Sequence, residues 1–409
     1  MASEWRRITL DQLGRIVTGK TPSSSRPDYF GGNIPFITPS DFDGRRLIGS
    51  TARYLTLAGA DSIGSSRIPP DSVMVSCIGS DMGKAAVAAL QSVTNQQINS
   101  IVVDSDNSAL FVYYNLSRRK AEIRNIASGS AQPILNKTSF GQLEILLPPR
   151  LEQDAIVRVL GTLDDKIELN RQMNETLEGM ARALFKSWFV DFDPVRAKSE
   201  RRESKLSKQI ADLFPAAMFE STRGPMPRGW DLTTWGTLVS LEYGKALSGY
   251  DNDESAYPVY GTNGRIGTHS KPLCPHPGVI IGRKGAYRGV HYSASPFFVI
   301  DTAFYIKPKK RLELRWVYYE LLRRDINSMD SGSAIPSTSR EDFYGLEVIL
   351  PPVEVQEQYV RLLDPMWRKQ EQNFRITRTL SALRDSLLPK LTSGELRIAD
   401  AERIVGVHV

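Results

Sequence analysis

The sequence predicts an α+β fold with a pseudo-twofold internal repeat. Two similar mixed α/β domains are separated by two long helices, which are expected to form an antiparallel coiled coil. Three observations support this prediction: four sequence blocks recur in the same order, each copy ends in a stretch with helical periodicity, and short apolar strands occur in both copies. Strands and helices grouped in this way favour an α+β fold over a doubly wound sheet.

The repeat is visible when the two halves are aligned. Trp5 and Trp230 each begin a segment that ends in Gly-Lys, at 19–20 and 244–245. Three later blocks also correspond, and the offset between copies shrinks along the chain: 73–83 with 279–289, 112–119 with 317–324, and 128–149 with 331–352. Self-similarity in a fixed order indicates a duplicated architecture. The shrinking offset places extra residues of the first copy between positions 20 and 73.

Residues 151–190 follow the first copy and show coiled-coil periodicity. Positions spaced alternately by four and three residues are mainly apolar from Ile156 to Trp188, which is typical of a coiled-coil seam. Asn170 and Asn174 fall together in the middle of this seam. Buried asparagines at such positions commonly fix the register of helix pairing, so we expect both to have this role.

Residues 353–391 repeat the pattern with a weaker seam. Asn373 aligns with Asn170 and is the third expected register residue, and Pro365 is predicted to kink the helix. The polar residues that weaken the seam are Gln370, Thr377 and Arg384. Two arrangements remain open: each helix packs on its own half, or the two helices pair. The twofold character of the repeat favours antiparallel pairing, which would hold the halves at a set distance.

These observations define the expected domain boundaries. The globular domains are residues 1–150 and 230–352, and each combines short apolar strands with a short helix that contains the repeated VYYxLxRR segment. Residues 191–229 are charged and poor in large apolar residues, which is typical of a linker. Residues 392–409 are expected to form a tail without a clear pattern.

Composition excludes several classes of protein. In 409 residues, 41% are hydrophobic and 24% charged, which is ordinary for a globular protein. No apolar run is long enough to span a membrane, and the segment MASEWRRITL lacks the apolar region of a secretory signal. Two cysteines, Cys77 and Cys274, fit a reducing cytoplasm rather than a disulfide framework. The net charge of +6 permits nucleic-acid binding without requiring it.

One segment resembles a nucleotide-binding loop. Residues 14–21, GRIVTGKT, match the pattern GxxxxGK[ST]. Pro22 follows directly, no helical pattern succeeds it, and the second copy lacks the first glycine and the hydroxyl. We therefore interpret the segment as a turn, with a nucleotide-binding enzyme as the alternative. Four nearby metal-ligand types do not have zinc-site spacing, so we expect no metal: His269, Cys274, His276 and His291. No arrangement of catalytic residues is evident, and a binding protein is predicted.

Polar, basic and glycine-containing loops are the candidate DNA-binding elements. Arginine and lysine pair with guanine edges, and asparagine and glutamine pair with adenine edges. In the first half the candidates are Lys20, Ser80, Lys84, Gln96, Gln97 and Asn99. In the second half they are Lys245, Tyr260, Thr262, Asn263, Arg265, Arg283, Lys284 and Arg288. Because the loops of the two halves differ, we expect them to read different bases.

Over nearly its whole length the chain resembles the specificity subunits of type I restriction–modification systems. The matching segments are GKTPS (19–23), GGNIPFITPSDF (31–42), VMVSCIGSDMGKAAV (73–87), NQQIN (95–99), PVYGTNGRIG (258–267), LFKSWFVDFDP (184–194) and LLPKLTSGELRI (387–398). The resemblance implies that each globular half is a target recognition domain for one half of a bipartite, asymmetric DNA site. It also implies that the two helices form an antiparallel coiled coil.

The resemblance further implies the partners of the chain. They are double-stranded DNA, two methyltransferase (modification) subunits and up to two restriction subunits, in the cytoplasm and without a membrane. S-adenosylmethionine would belong to the methyltransferase, and ATP and Mg²⁺ to the restriction subunit, so the chain itself would hold no cofactor and be no enzyme. The remaining alternative within this class is the specificity subunit of a combined restriction–methylation enzyme.

Overall fold

The computed structural model describes residues 5–79, 81–127, 134–203, 206–222, 224–250, 257–329 and 336–407. It divides into two compact units. The first unit comprises residues 1–173 and 372–409, and the second comprises residues 174–371. Each unit therefore contains one globular part together with portions of two long helices.

The globular part of the first unit is built from short strands and helices. Its strands are β1 (Arg6–Thr9), β2 (Gly14–Thr18), β3 (Phe30–Ile37), β4 (Leu47–Ile48), β5 (Tyr54–Leu55), β6 (Arg67–Ile68), β7 (Val73–Ser76), β8 (Ala85–Ala88), β9 (Ser92–Thr94), β10 (Ile98–Val103) and β11 (Glu144–Leu147). Its helices are α1 (Leu57–Asp61), α2 (Ala109–Ser117), α3 (Lys120–Ala127) and α4 (Lys137–Gly141). The first long helix, α5 (Arg150–Phe189), follows.

The second unit continues with elements of the same kinds. Its strands are β12 (Met218–Ser221), β13 (Gly224–Pro227), β14 (Asp231–Thr234), β15 (Val239–Tyr243), β16 (Tyr257–Gly261), β17 (Gly264–His269), β18 (Gly278–Gly282), β19 (Val290–Ser293), β20 (Phe298–Val299), β21 (Ala303–Pro308) and β22 (Glu347–Leu350). Its helices are α6 (Asp193–Ser199), α7 (Lys208–Ala211), α8 (Trp235–Leu238), α9 (Leu314–Leu322) and α10 (Arg340–Gly345). The second long helix, α11 (Val353–Thr392), follows, and α12 (Ile398–Gly406) after it belongs to the first unit.

Sheet topology repeats between the units, which confirms the predicted duplication and the α+β class. The main sheet of the first unit has the order β2-β10-β7-β8-β4, and that of the second has the order β15-β21-β18-β19. In each unit the strand that precedes the edge strand of the main sheet pairs antiparallel with the strand before the long helix, β1 with β11 and β14 with β22. Parallel pairs also correspond, β3 with β9 and β16 with β20.

A buried glutamine near the start of each long helix makes equivalent hydrogen bonds in the two units. Gln153 on α5 accepts the backbone N–H of Ser108 (2.8 Å) and donates to the carbonyl of Pro148 (2.9 Å). Gln356 on α11 accepts the N–H of Glu313 (3.1 Å) and donates to the carbonyl of Pro351 (2.9 Å). Each glutamine is only 1% exposed, and its hydrogen bonds tie the start of a long helix to the start of α2 or α9.

The two long helices pair in antiparallel fashion within the first unit. Leu160 and Leu163 of α5 belong to the same buried cluster as Leu380 and Leu387 of α11. Asp164 contacts Arg384 (2.8 Å), and farther along α5 the amide of Asn170 donates to the Thr377 hydroxyl (3.4 Å). Rising numbers on α5 therefore meet falling numbers on α11, which is the antiparallel arrangement.

The second unit shows the same antiparallel pairing. The Gln370 amide donates to the backbone carbonyl of Asn174 (3.1 Å), and the Tyr359 hydroxyl donates to the carbonyl of Ala181 (3.2 Å). Phe185 and Leu363 share a buried cluster with the strands of this unit. The alternative in which each helix packs only on its own half is therefore wrong, because the helices pack on each other as well as on the globular parts.

The expected weakness of the α11 seam needs correction. The polar seam residues of α11 do not leave the seam unmatched, because Gln370, Thr377 and Arg384 each contact a polar group of α5. Helix α11 runs from Val353 to Thr392 without a break at Pro365, and the kink expected there stays a prediction. The periodicity of α11 alone could not predict these polar contacts, because their partner atoms lie on α5.

The segments expected to be a linker and a tail also contain structure. Residues 191–229 include α6, α7 and the β12–β13 hairpin, and Val195 and Phe214 are buried in the second unit. Residues 392–409 include α12, whose Ala401 and Val405 are buried in the first unit. Both segments are short and rich in charge, and their few buried apolar residues are too sparse to predict these helices and strands from the sequence. Among the described residues, no helix is long and apolar enough to cross a membrane.

Candidate nucleic-acid interface

A Gly-Lys turn occupies the same place in both units, directly after the edge strand of the main sheet. Gly19 and Lys20 donate their backbone N–H groups to the carbonyls of Ile98 (3.0 Å) and Thr94 (2.9 Å). Gly244 and Lys245 form the equivalent bonds to Ala303 (3.1 Å) and Val299 (2.9 Å). A Cβ atom on either glycine would lie 2.0 Å from a carbonyl oxygen, so this approach requires glycine. Both lysine side chains are exposed.

This geometry argues against a nucleotide-binding loop. Residues 14–18 form strand β2, whereas a phosphate cradle would need them in a loop that leads into a helix. The next regular element in the described chain is a single 3₁₀ turn at Pro27–Tyr29. Within the described residues, no group of three or more histidine, cysteine or carboxylate side chains could hold a metal ion.

In the first unit, the turn at 19–21 and the loop at 95–97 meet, and both carry candidate residues. The Lys20 ammonium lies 3.4 Å from the Ser65 hydroxyl, and the Thr21 hydroxyl donates to the Gln96 amide oxygen (2.5 Å). Gln96 is exposed beside the Gly-Lys turn. Gln97 is half-buried, and its side-chain oxygen accepts a hydrogen bond from Asn95 (3.0 Å).

The loop between β7 and β8 holds two further candidates of this half, Ser80 and Lys84. The backbone N–H of Cys77 donates to the Gln97 carbonyl (2.7 Å), which attaches this loop to the previous one. The Lys84 ammonium is paired with Asp81 (3.0 Å) and donates to the Phe42 carbonyl (3.3 Å), so its charge is partly neutralised. Ser80 lies outside the described residues.

Asn99 is placed in the interior rather than at the interface. It is 3% exposed, and it accepts the Thr18 hydroxyl (2.7 Å) while donating to the Leu135 carbonyl (2.9 Å) and the Cys77 sulfur (3.3 Å). All of its polar atoms therefore have internal partners. The expectation that Asn99 reads a base is corrected accordingly, because burial removes the amide from solvent. Burial also raises the pKa of the Cys77 thiol to about 12.

In the second unit, the tip of the β16–β17 hairpin lies beside the loop between β18 and β19. The Thr262 carbonyl accepts the N–H of Gly289 (3.1 Å), and its hydroxyl is buried without a partner among the described residues. Asn263 and Arg265 are exposed at this tip. Tyr260 is half-buried against Phe297, and burial raises the pKa of its phenol.

The loop that follows β18 carries three candidates with different surroundings. Lys284 is half-buried, and its N–H donates to the Thr302 carbonyl (3.1 Å). Arg283 donates through its guanidinium to the Asp301 carbonyl (2.9 Å). Arg288 is 3% exposed and donates to the backbone carbonyls of Gly285 (3.2 Å) and Asn327 (2.7 Å). The expectation that Arg288 contacts DNA is therefore corrected, since its guanidinium fixes the loop from inside.

Four residues that the sequence analysis did not select lie next to these loops. Tyr287 is 79% exposed at the loop tip, and Tyr243 is 48% exposed directly before the Gly-Lys turn. Arg340 and Tyr344 on α10 reach Tyr243 and the edge of β15. The position of Tyr243 next to Gly-Lys was a usable signal. No sequence signal indicated Arg340, because only the fold brings it close to Tyr243.

The three register candidates lie in the paired helices. Asn170 is 8% exposed and Asn373 is fully buried. Asn170 donates to Thr377, whereas Asn174 exchanges side-chain to backbone contacts with Gln370. The structure thus places Asn170 and Asn174 where α5 and α11 contact each other, and it buries Asn373 within α11.

Comparison with known proteins gives a consistent result. The family described as "Type I restriction modification DNA specificity domain" matches residues 2–179 and 227–378, which include the globular parts of both units. A type I restriction enzyme MjaIX specificity subunit from Methanocaldococcus jannaschii is 25% identical, over 97% of this chain and 94% of its own. The HindI specificity subunit from Haemophilus influenzae is 34% identical over 42% of this chain and 39% of its own.

A solved structure has a similar fold. The crystal structure of the type I restriction–modification S subunit from M. genitalium aligns with a TM-score of 0.54 and 17% sequence identity. The alignment covers 95% of this chain and 96% of that one. The likeness therefore extends to both globular parts and both long helices.

Proposed function

Because the chain belongs to the family of type I restriction–modification specificity subunits, we propose that each globular part reads one half of a bipartite, asymmetric DNA site. Subunits of this family assemble with other subunits and bind DNA. The observation that supports a split site is that the same loop frame carries different side chains in the two units. Residues 94–98 are bonded to the first Gly-Lys turn, and residues 299–303 to the second.

The charges of the loops support contact with nucleic acid. Lys20, Lys245 and Arg265 are exposed, and none of them has a carboxylate within ion-pair distance among the described residues. Unneutralised cations at the surface of each unit attract the phosphate backbone. We propose that Gln96, Asn263 and Arg265 read base edges, because their amide and guanidinium groups are exposed and match adenine or guanine.

The proposed role in the complex is recognition and assembly without catalysis. The chain would bind two methyltransferase subunits, which carry S-adenosylmethionine, and restriction subunits, which carry ATP and Mg²⁺. The exposed cation and amide sets give it the means to hold DNA. Paired helices that each contribute to both units give it a frame on which partners could assemble.

Methylation mapping in a host that carries the complete system tests this proposal. Single-molecule sequencing should reveal one bipartite methylated motif with two unrelated halves. A chimera in which residues 230–350 come from a homologue should change one half of the motif and leave the other intact. A change in both halves, or a continuous motif, would contradict the assignment of one half-site to each globular part.

A second experiment tests the absence of catalysis. The purified chain, incubated with DNA and S-adenosylmethionine, should transfer no methyl group until a methyltransferase subunit is added. Methylation by the chain alone would overturn the proposed role. Nucleotide binding should likewise be unchanged in a Lys20→Ala variant, because β2 and its turn provide no phosphate cradle.

A further inference from the structure

A row of alternating cationic and aromatic side chains lies along the edge strand β15 in the second unit. The Arg283 guanidinium lies 4.8 Å from the centroid of the Tyr243 ring, and that of Arg340 lies 5.2 Å from the same centroid. Arg340 also lies 5.5 Å from the Tyr344 ring, which the Lys309 ammonium approaches to 5.8 Å. We call these five residues the cation–aromatic row.

Hydrogen bonds fix the row to the fold. The Tyr344 hydroxyl accepts the backbone N–H of Leu241 on β15 (2.8 Å) and a guanidinium N–H of Arg340 (2.9 Å). The Lys309 ammonium donates to the Gly236 carbonyl (2.6 Å). Stacking on aromatic rings and bonds to carbonyl groups restrict the side chains, so little further entropy is lost when a ligand is bound.

The three cations of the row retain their full charge. Among the described residues, no carboxylate lies within ion-pair distance of Arg283, Lys309 or Arg340. Each guanidinium has five N–H donors. Arg283 uses one of its groups for the Asp301 carbonyl, and the guanidinium of Arg340 bonds to the hydroxyls of Tyr344 and Tyr243. Lys309 and Tyr243 are exposed, and both arginines are partly exposed. Pre-positioned guanidinium groups without counter-ions suit phosphate, which they bind in a bidentate manner.

The row is continuous with the candidate interface of the second unit. Tyr243 directly precedes the Gly244-Lys245 turn. The N–H of Thr338 donates to the Arg283 carbonyl (2.8 Å), and its hydroxyl donates to the Gly282 carbonyl (2.8 Å). The segment that leads into α10 is thereby attached to the loop after β18. A duplex that touches Lys245 and Arg265 would pass close to Arg283 and Arg340.

We propose that the cation–aromatic row binds the sugar-phosphate backbone of duplex DNA, with Arg283 and Arg340 as its phosphate ligands. This inference rests on the proposed function and adds a division of roles to it. Asn263 and Arg265 would discriminate bases, whereas the row would hold the duplex in position without reading sequence. Arg283, a candidate base reader by its residue type, is thereby reassigned to the backbone, and Arg340 and Tyr243 become positioning residues for the DNA.

Salt dependence of binding distinguishes these roles without knowledge of the target sequence. Binding of the full chain to a random-sequence fluorescent duplex would be titrated at several salt concentrations, and the slope of log K against log salt measured. Each phosphate contact contributes roughly 0.9 to this slope. Arg283→Gln and Arg340→Gln should each lower it by about 1, and the double variant by about 2. Arg340→Lys should retain the slope of the wild type.

Matched controls distinguish a lost phosphate contact from a loss of folding stability and from a loss of base recognition. Arg228→Gln removes the same charge from an exposed turn between β13 and β14. Arg228 takes no part in the contacts of the row, so this variant should retain the wild-type slope. Arg265→Ala should change the preferred bases in a selection experiment, whereas Arg340→Gln should weaken all sequences equally. Melting temperature, measured in parallel, shows whether a variant has lost stability.

Three outcomes would decide the matter. If the row variants keep the wild-type slope while the wild type binds DNA, the inference is wrong and the proposed function stands. A loss of methyltransferase binding with unchanged DNA affinity would assign the row to a protein partner and overturn the inference. If the wild type shows no salt-dependent DNA binding, alone or with its methyltransferase subunit, the proposed function itself fails.

Discussion

Single residues show why polarity in a loop does not by itself place a side chain at an interface. Asn99 and Arg288 have the chemistry of base readers, yet both are 3% exposed and bind neighbouring groups of the protein. Asn99 stands in β10, where apolar neighbours are buried, and its partners come from the residues at 18, 77 and 135. No spacing in the sequence predicts such partners, because the fold alone brings them together.

The internal role of Asn99 gives the first prediction. Asn99→Leu would leave the Leu135 carbonyl and the Thr18 hydroxyl without their partner, and an unsatisfied buried group costs about 1–3 kcal/mol. Urea unfolding should therefore show a clear loss of stability, while the selected DNA motif stays the same. Gln96→Ala, at an exposed position, should change stability by less than about 0.5 kcal/mol. An altered motif with unchanged stability would return Asn99 to the set of base readers.

The two cysteines give a second prediction at this scale. Burial raises the pKa of Cys77 to about 12, so the thiol remains protonated at neutral and mildly alkaline pH. Because the thiolate is the reactive form, iodoacetamide at pH 8 should modify Cys274, which is partly exposed, and leave Cys77 intact. Mass spectrometry should find one modified cysteine in the native chain and two in denaturant. Rapid modification of Cys77 in the native chain would contradict its burial.

At the scale of elements, equivalent positions keep their geometry and change their chemistry. Thr18 faces Asn99 across the β2–β10 pair, and Tyr243 faces Phe304 across β15–β21. The polar pair is joined by a hydrogen bond, whereas the aromatic rings meet at 5.0 Å. The same strand frame therefore accommodates a polar pair in one unit and an aromatic pair in the other.

The helix pair supplies the third prediction. Asp164 is 8% exposed and accepts both the Tyr114 hydroxyl (2.7 Å) and the Arg384 guanidinium (2.8 Å). Arg384→Leu leaves this buried carboxylate short of a partner, and the loss approaches the roughly 3 kcal/mol found for broken buried pairs. The Arg384 side chain is 25% exposed, which limits the loss of stability. The double variant Asp164→Leu/Arg384→Leu should recover most of the loss, because apolar pairs can replace buried ion pairs.

A double-mutant cycle by urea unfolding measures this coupling. Strictly additive losses would show that Asp164 and Arg384 do not stabilise each other. The second unit provides a comparison, since there the equivalent Tyr319 hydroxyl donates to Glu178 (3.0 Å) and accepts from the indole of Trp367 (3.2 Å). Trp367→Phe should therefore cost less than Arg384→Leu, because no buried charge loses its partner.

For the whole molecule, sequence reasoning was strongest where a pattern repeats over many residues. The duplication and the two long helices could be predicted, because the block order and the seam from Ile156 to Trp188 extend over many residues. The elements at 191–229 and 392–409 could not, since their burial depends on a few side chains such as Phe214 and Val405. Site residues were predictable by type and loop, whereas burial decided which of them remain available.

The last prediction concerns the distance between the two DNA half-sites. Helices α5 and α11 each contribute residues to both units, so we propose that their length sets the spacer. Seven residues inserted after Asn170 and seven after Asn373 keep the seven-residue phase of the seam and the contacts Asn170–Thr377 and Asn174–Gln370. At 1.5 Å per residue this adds roughly 10 Å, or about three base pairs at 3.4 Å each. Methylation mapping should then show the same two half-sites with a spacer longer by about three base pairs. An insertion in α5 alone is the matched control and should impair folding, because the antiparallel contacts lose their register. If the double insertion folds and still methylates the original spacer, the helices do not set the distance, and the partner subunits must position the recognition domains.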